Sequence, residues 1–230
     1  MVVAAAEPRA RVELVVGPLA PRLVERSARR VVVAVAASQM LLLDGDAAVI
    51  EVEVGPGCTL EIEDVGGTVA YPGRSGWRLD ARVGAGARLV WNGLPFVVTA
   101  GAHAERRSAI ELGPGAALLL RETIVLGRHG EVGGAIRAFS AIADESGPVL
   151  VEQLEADATA PEPGVLGGHR VMDSVIAAGY GPGDTAGALV LDAGGAVARH
   201  LGAETHASGL DRIWERWRAD LQVREPAADA

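Results

Sequence analysis

Residues 54–60 read VGPGCTL, residues 83–89 read VGAGARL and residues 112–118 read LGPGAAL. Gly55, Gly84 and Gly113 thus recur at a spacing of 29 residues. An alternating segment enters each turn: IEVEV at 50–54, LDARV at 79–83 and IEL at 110–112. Another leaves it: LEIE at 60–63, LVW at 89–91 and LLLRETIVL at 118–126. Glycine at the first and third turn positions permits positive φ, so each unit reads as strand, tight turn, strand. We expect the three first glycines at equivalent places in successive layers, at least two of them with positive φ. A fixed period of this size marks stacked architectures, in which no unit buries its face alone. The fold class expected is mainly β, with β-helix-like stacked strand layers and about two short helices. A β-sandwich of similar hairpins is the other reading of the same glycines.

Alternation assigns faces. Ile50, Val52 and Val54 share one side of their strand and Glu51 and Glu53 the other. In the next strand Leu60 and Ile62 oppose Glu61 and Glu63, and Asp64 extends the polar edge. Residues 116–126 (AALLLRETIVL) are apolar on both faces except at Arg121–Thr123, as in a central strand covered on both sides. The valine- and alanine-rich segment 31–37 is expected near a sheet edge. Residues 210–221 (LDRIWERWRADL) place Ile213, Trp217 and Leu221 at helical spacing, with Ser208 as N-cap. Residues 158–168 (ATAPEPGVLGG) read as a loop.

The 230 residues carry 30 acids against 21 bases, a net charge of −9, and every base is arginine. That balance argues against nucleic acid as a partner. Without lysine there is no Walker A phosphate loop, so the chain is not itself a P-loop GTPase. Cys58 is the only cysteine, which excludes an internal disulfide or a thiolate cluster. The longest apolar run, residues 31–43, falls short of the roughly 20 residues a membrane span needs. The N-terminus lacks the basic start of a secretion signal, and a cytoplasmic location is expected.

Chemistry-bearing motifs are sparse. His103, His129, His169, His200 and His206 fall in none of the HxH, HxxxH or HExxH spacings. No GxSxG nucleophile elbow occurs. Cys58 reads as a small apolar residue opening a strand rather than a nucleophile. Two features remain. Glu61, Glu63 and Asp64 form an acidic edge, either solvated or a weak, transient oxygen site for a cation. The segment 126–134 (LGRHGEVGG) sets Arg128, His129 and Glu131 among glycines. It reads either as a solvated turn or as a rigid loop offering Gly127, Arg128, Gly130 and Glu131 to a partner, with His129 and Glu131 as further transient ligands. Three readings stay open at this point: a scaffold, an enzyme of β-solenoid or cupin-like type, and a protein- or carbohydrate-binding β-module.

The order LLLDGD (41–46), IEVEVGPGCTLEI (50–62), VGAGARLVW (83–91), LGPGAALLLRETIVLGRHGE (112–131) and GGHRVMDSVIAAG (167–179) resembles the urease accessory protein UreD family, called UreH in some organisms. The resemblance covers about residues 11–200. It departs where EDVGGTVAY (63–71) stands in place of the family's Thr/Gln-rich segment, and where the family's Leu-Glu-Trp-Leu-Pro element appears as LVWNGLPF (89–96). It implies a single domain over 1–230: a layered β region at 10–205, a C-terminal helix at 208–222 and a frayed tail at 223–230. It implies a chaperone rather than an enzyme, with UreF, UreG and the urease apoprotein as partners. No cofactor is tightly bound on this reading; nickel passes through in transit. Among the loop residues, the family element favours Arg128 and Glu131 over His129.

Overall fold

The 29-residue spacing is the register of the sheets. In the computed structural model, which describes residues 1–223, β1 (Val2–Ala4) and β2 (Arg11–Glu13) pair antiparallel. β3 (Leu19–Arg26) and β4 (Arg30–Ala37) form a hairpin. Three coils follow. The first holds β5 (Ala47–Val54), β6 (Thr59–Asp64) and β7 (Thr68–Ala70). The second holds β8 (Gly73–Val83), β9 (Arg88–Asn92) and β10 (Phe96–Val98). The third opens with β11 (Ala102–Leu112) and β12 (Ala117–Leu126). Ile50 pairs with Leu79, and Leu79 with Ser108, each 29 residues on. On the facing sheet Leu60 pairs with Leu89 and Leu89 with Leu118, again at 29. All these pairings are parallel, as in a β-helix.

The coils close with antiparallel strands. β13 (Ala135–Asp144) runs parallel to β11 and turns back as β14 (Gly147–Asp157). β15 (Val171–Ala178), β16 (Leu189–Val190) and β17 (Gly195–Gly202) finish the other side. The first sheet has the order β14-β13-β11-β8-β5-β1-β2 and the second β16-β17-β15-β12-β9-β6-β4-β3. β4 therefore lies between β6 and β3; the edge belongs to β3, not to 31–37 as expected. The loop expected at 158–168 carries no strand or helix.

The turn glycines do two different jobs. Positive φ belongs to the third position: Gly57 at +65°, Gly86 at +63° and Gly115 at +65°. Gly55, Gly84 and Gly113 are equivalent by rung, as expected, but none of them has positive φ. They are glycine because the rungs touch there. A Cβ on Gly84 would lie 2.9 Å from Pro56 N and Val54 O, and one on Gly55 2.8 Å from Val3 O.

The interior between the sheets is aliphatic over most of its length, built from residues such as Val33, Ile50, Leu60, Leu79, Leu89 and Leu118. A second apolar layer covers the outer face of the second sheet. There α1 (Asp211–Val223) lays Trp214, Trp217 and Leu221 on Leu119, Val175, Ala177 and Ala198. β12 is thus covered on both sides, as its sequence predicts. A 3-10 turn, Thr205–Ala207, precedes the helix. Ser208 Oγ accepts from the Leu210 N–H just ahead of the helix at 3.4 Å, and its hydroxyl donates to Asp173 Oδ2 at 2.5 Å. The helix is described through Val223, and the rest of the tail expected to fray lies outside the described residues.

Candidate functional site

The third coil breaks the apolar pattern in phase with the core. Inward positions of β11 run Ala102, Ala104, Arg106, Ser108, Ile110, Leu112, and those of β12 run Leu118, Leu120, Glu122, Ile124, Leu126. Arg106 and Glu122 therefore point between the sheets, with side chains only 11% and 10% exposed. Their Nη2 and Oε1 atoms lie 2.6 Å apart. The Ser108 hydroxyl donates to the same Glu122 oxygen at 3.3 Å. The Arg106 guanidinium stacks 4.6 Å from the Trp77 ring centroid and 5.9 Å from that of Phe96, a cation–π setting that offsets part of its desolvation. Arg106 Nε is buried without a hydrogen-bond partner among the described residues.

Register carries this polarity outward. Ser108 leads through Ser140 to Glu152 on the first sheet, while Glu122 leads through Ser174 to Arg199 on the second. Arg199 closes the line: its Nε donates to Ser174 Oγ at 3.0 Å, and its Nη1 and Nη2 donate to Glu152 at 2.5 and 2.7 Å. A cavity of about 20 Å³, room for a single water, lies between the Arg106–Glu122 and Glu152–Arg199 pairs. On the other side of Arg106 a cavity of about 210 Å³ is walled by Trp77, Trp91, Phe96, Leu120 and Asp64. Burial pushes the Asp64 carboxyl up, against hydrogen bonds from the Leu94 N–H and Trp91 Nε1, both at 2.9 Å. A well-packed apolar pair in place of Arg106 and Glu122 would be no less stable by general experience. Stability alone therefore does not account for this seam.

Residues 41–229 match the family model described as UreD urease accessory protein. The chain belongs to the UreD family. It is 39% identical over 213 residues to urease accessory protein UreD 1 of Streptomyces griseus subsp. griseus, covering 88% of this chain and 83% of that one. It is 36% identical over 152 residues to UreD 3 of the same organism, covering 62% and 59%. It is 29% identical over 167 residues to UreD 2 of Saccharopolyspora erythraea, covering 70% and 59%. Against the latter two the chain spans about three fifths of the relative's length.

In this UreD chain the acidic edge 61–64 and the 127–131 loop lie apart from each other, and of their residues Asp64 lines the cavity beside Arg106. Glu61 is not on a solvated edge: it is 6% exposed, because Arg30 (3.0 Å) and Arg218 of α1 (2.5 Å) close over it. Glu63 is exposed. Asp64 is turned inward onto Trp91. Among the described residues no three His, Cys, Asp or Glu side chains form a metal-binding group. Cys58 is fully buried, and burial pushes its thiol up.

The 127–131 loop is a closed circuit. Glu131 accepts from the Arg128 side chain at 3.0 and 3.2 Å, from the Arg128 N–H at 2.9 Å and from the Ala100 N–H at 3.2 Å. These bonds, the Arg128 guanidinium first, lower its pKa to about 2. Arg170 donates to the carbonyls of Gly127 and Arg128, at 3.0 and 2.8 Å. Gly127 and Gly130 have positive φ. The loop is thus rigid and presents Arg128, 60% exposed, beside an exposed His129. Glu131 has its oxygens occupied within it. The seam residues Arg106, Glu122, Glu152 and Arg199 were missed from sequence, although a charge in phase with the apolar positions of a strand was the available signal.

Proposed function

We propose that this chain is a cytoplasmic scaffold for urease maturation: it binds UreF and UreG, docks on apo-urease, and passes nickel(II) along the seam between its sheets. It works as a chaperone, with no catalytic step of its own. The observation that carries the reading is a line of two carboxylates, Glu122 at 10% exposure and Glu152 at 31%, each neutralised by an arginine across the sheet gap. Nickel crossing the seam meets oxygen ligands that Arg106 and Arg199 compete for, so it is held briefly and released. A carboxylate without its arginine would hold the ion longer and pass it on more slowly. Ser108, Ser140 and Ser174 supply neutral oxygens between the two charges. The rigid loop carrying Arg128 fits a contact with a carboxylate on a partner, since guanidinium pairs with carboxylate through two parallel bonds.

The test is co-expression of the urease operon with Glu122→Gln, Glu152→Gln and the double variant, reading nickel per urease active site by elemental analysis and retention of UreF by pull-down. We expect the double variant to keep UreF and to load urease with severalfold less nickel. Full nickel loading by the double variant would remove the seam from the delivery route. Loss of UreF would assign these residues to assembly instead.

A further inference from the structure

Among the described residues, β5 is paired along only part of its outer edge. β5 has eight residues, and β1 pairs only with its last two, Glu53 and Val54. Met1 extends the contact by two bonds, its amino group donating to the Glu51 carbonyl and its carbonyl accepting from the Glu53 N–H. Strand alternation sends the N–H and C=O groups of Ala47 and Val49 to that same side. Among the described residues no strand pairs with them there.

A groove of about 800 Å³ runs beside this edge. Leu19 and Val35 of the second sheet line its inner wall; exposed Val15 and Val49 and the carboxylates of Glu13, Glu51 and Glu53 line its outer one. Acids farther along the same face are paired, Asp80 with Arg78 at 2.7 Å and Glu111 with Arg82 at 3.2 Å. Glu13, Glu51 and Glu53 have no arginine partner among the described residues. Arg82 stands opposite Glu53 in the β5–β8 register, yet it turns to Glu111. The three carboxylates share one cation, the Met1 amino group, so open backbone and a surplus of negative charge coincide.

We propose that the open edge of β5 is a docking strand for an extended segment of a partner protein, with basic side chains at alternate positions and aliphatic ones between. Ladder bonds to Ala47 and Val49 supply the attachment, and period-two alternation supplies the selection. One face of the added strand sets its basic groups beside Glu13, Glu51 and Glu53. The other drops aliphatic groups toward Leu19 and Val35. Residues 47–51 give about 17 Å of edge, enough for five residues of partner. The same glutamates disfavour a second copy as occupant, because two such edges would bring like charges together. This inference goes beyond urease maturation and does not depend on it.

The probe is a synthetic nonapeptide of alternating valine and arginine, added to the full-length protein, with amide hydrogen exchange followed at residues 47–51. An alternating valine–glutamate peptide and a valine–arginine peptide of shuffled order are the controls. We expect the first peptide to slow exchange of the Val49 and Glu51 amides at least tenfold, and the controls to leave it unchanged. Val49→Pro removes one ladder donor at an edge that tolerates proline, and abolishes the protection. Glu51→Gln/Glu53→Gln keeps the edge and weakens binding severalfold, which decides the matter should Val49→Pro fail to fold. Equal protection by the valine–glutamate peptide, or binding that the double Gln variant leaves unchanged, overturns the proposal. So does protection that rises with protein concentration alone, which assigns the edge to a second copy.

Discussion

Arg121 holds Asp173 through two parallel hydrogen bonds, Nη2 to Oδ2 at 2.8 Å and Nε to Oδ1 at 3.2 Å, across neighbouring strands of the second sheet. The carboxylate is 1% exposed and also accepts from Thr123 at 2.8 Å and Ser208 at 2.5 Å. Arg121 reaches on to Asp211 in the first turn of α1, at 2.5 Å. One buried charge pair thus joins two strands, the chain before the helix and the helix itself.

Removing the carboxylate strands a largely buried guanidinium. Asp173→Ala is expected to lower the unfolding free energy by about 3 kcal/mol in urea titration. Asp173→Asn should cost less, since its carbonyl still accepts one of the bonds. A change in Asp173→Ala within about 0.5 kcal/mol, the range of ordinary surface substitutions, would show that the pair does not anchor the helix.

The same group sets a pH dependence. Burial opposes ionisation of Asp173, but the bonds from Arg121, Ser208 and Thr123 prevail and hold its pKa below the usual carboxylate value. A depressed folded pKa adds stability above the unfolded value of about 3.9, and that stability is lost as pH falls through the folded pKa. Melting temperature should therefore drop more steeply below about pH 4 in the natural chain than in Asp173→Asn. Fluorescence of Trp214 and Trp217, both buried under α1, reads the transition. Parallel acid limbs for the two proteins would contradict this assignment.

The two classes of turn glycine should respond differently to asparagine. Gly86→Ala places a side chain at φ +63° and is expected to cost about 1–2 kcal/mol; Gly86→Asn recovers much of that, because asparagine tolerates the left-handed region. Gly84→Ala and Gly84→Asn should both cost about 1–3 kcal/mol, since the Cβ itself meets backbone of the rung below. Denaturant midpoints for the four variants decide it. Recovery by asparagine at Gly84 would mean that φ, not the rung contact, selects glycine there.

For the 127–131 loop, Arg128→Ala and Glu131→Ala are expected to lower urease activation in cells while circular dichroism stays unchanged, and His129→Ala to do less. The Arg128–Glu131 contact should persist from neutral pH down to the unfolded carboxyl value, about 4.3, and give way only as pH approaches about 2. Full activation by the Arg128→Ala/Glu131→Ala double variant would leave the loop a solvated turn.

Local and periodic features were legible in the sequence. The glycine spacing is the rung register itself, and the faces of 50–54 and 116–126 came out as their alternation says. What escaped depends on contacts distant along the chain. Glu61 looks solvated beside Glu63, and its two arginines stand 31 and 157 residues away. Ser208 looks like a helix cap and accepts from the Leu210 N–H, but its shorter bond, to Asp173 35 residues earlier, is out of sight in the local sequence. Gly55 looks like a left-handed turn residue because the rung that crowds it is invisible in a local window. Arg106 and Glu122 could have been noticed, each being a lone charge in an apolar phase; that they face each other required the fold.

The spacing of the contacts also orders assembly. Successive rungs meet residues 29 positions apart, so each coil has its template as soon as the next 29 residues are made. α1 depends on partners 90 and 157 residues upstream, Arg121 and Glu61. The helix is therefore the last piece to dock, and until it does the apolar outer face of the second sheet, around Leu119 and Val175, is bare. During synthesis that face is the stretch most open to capture by a general folding helper. Released chains ending before residue 205 should bind such helpers more strongly than released chains reaching 223.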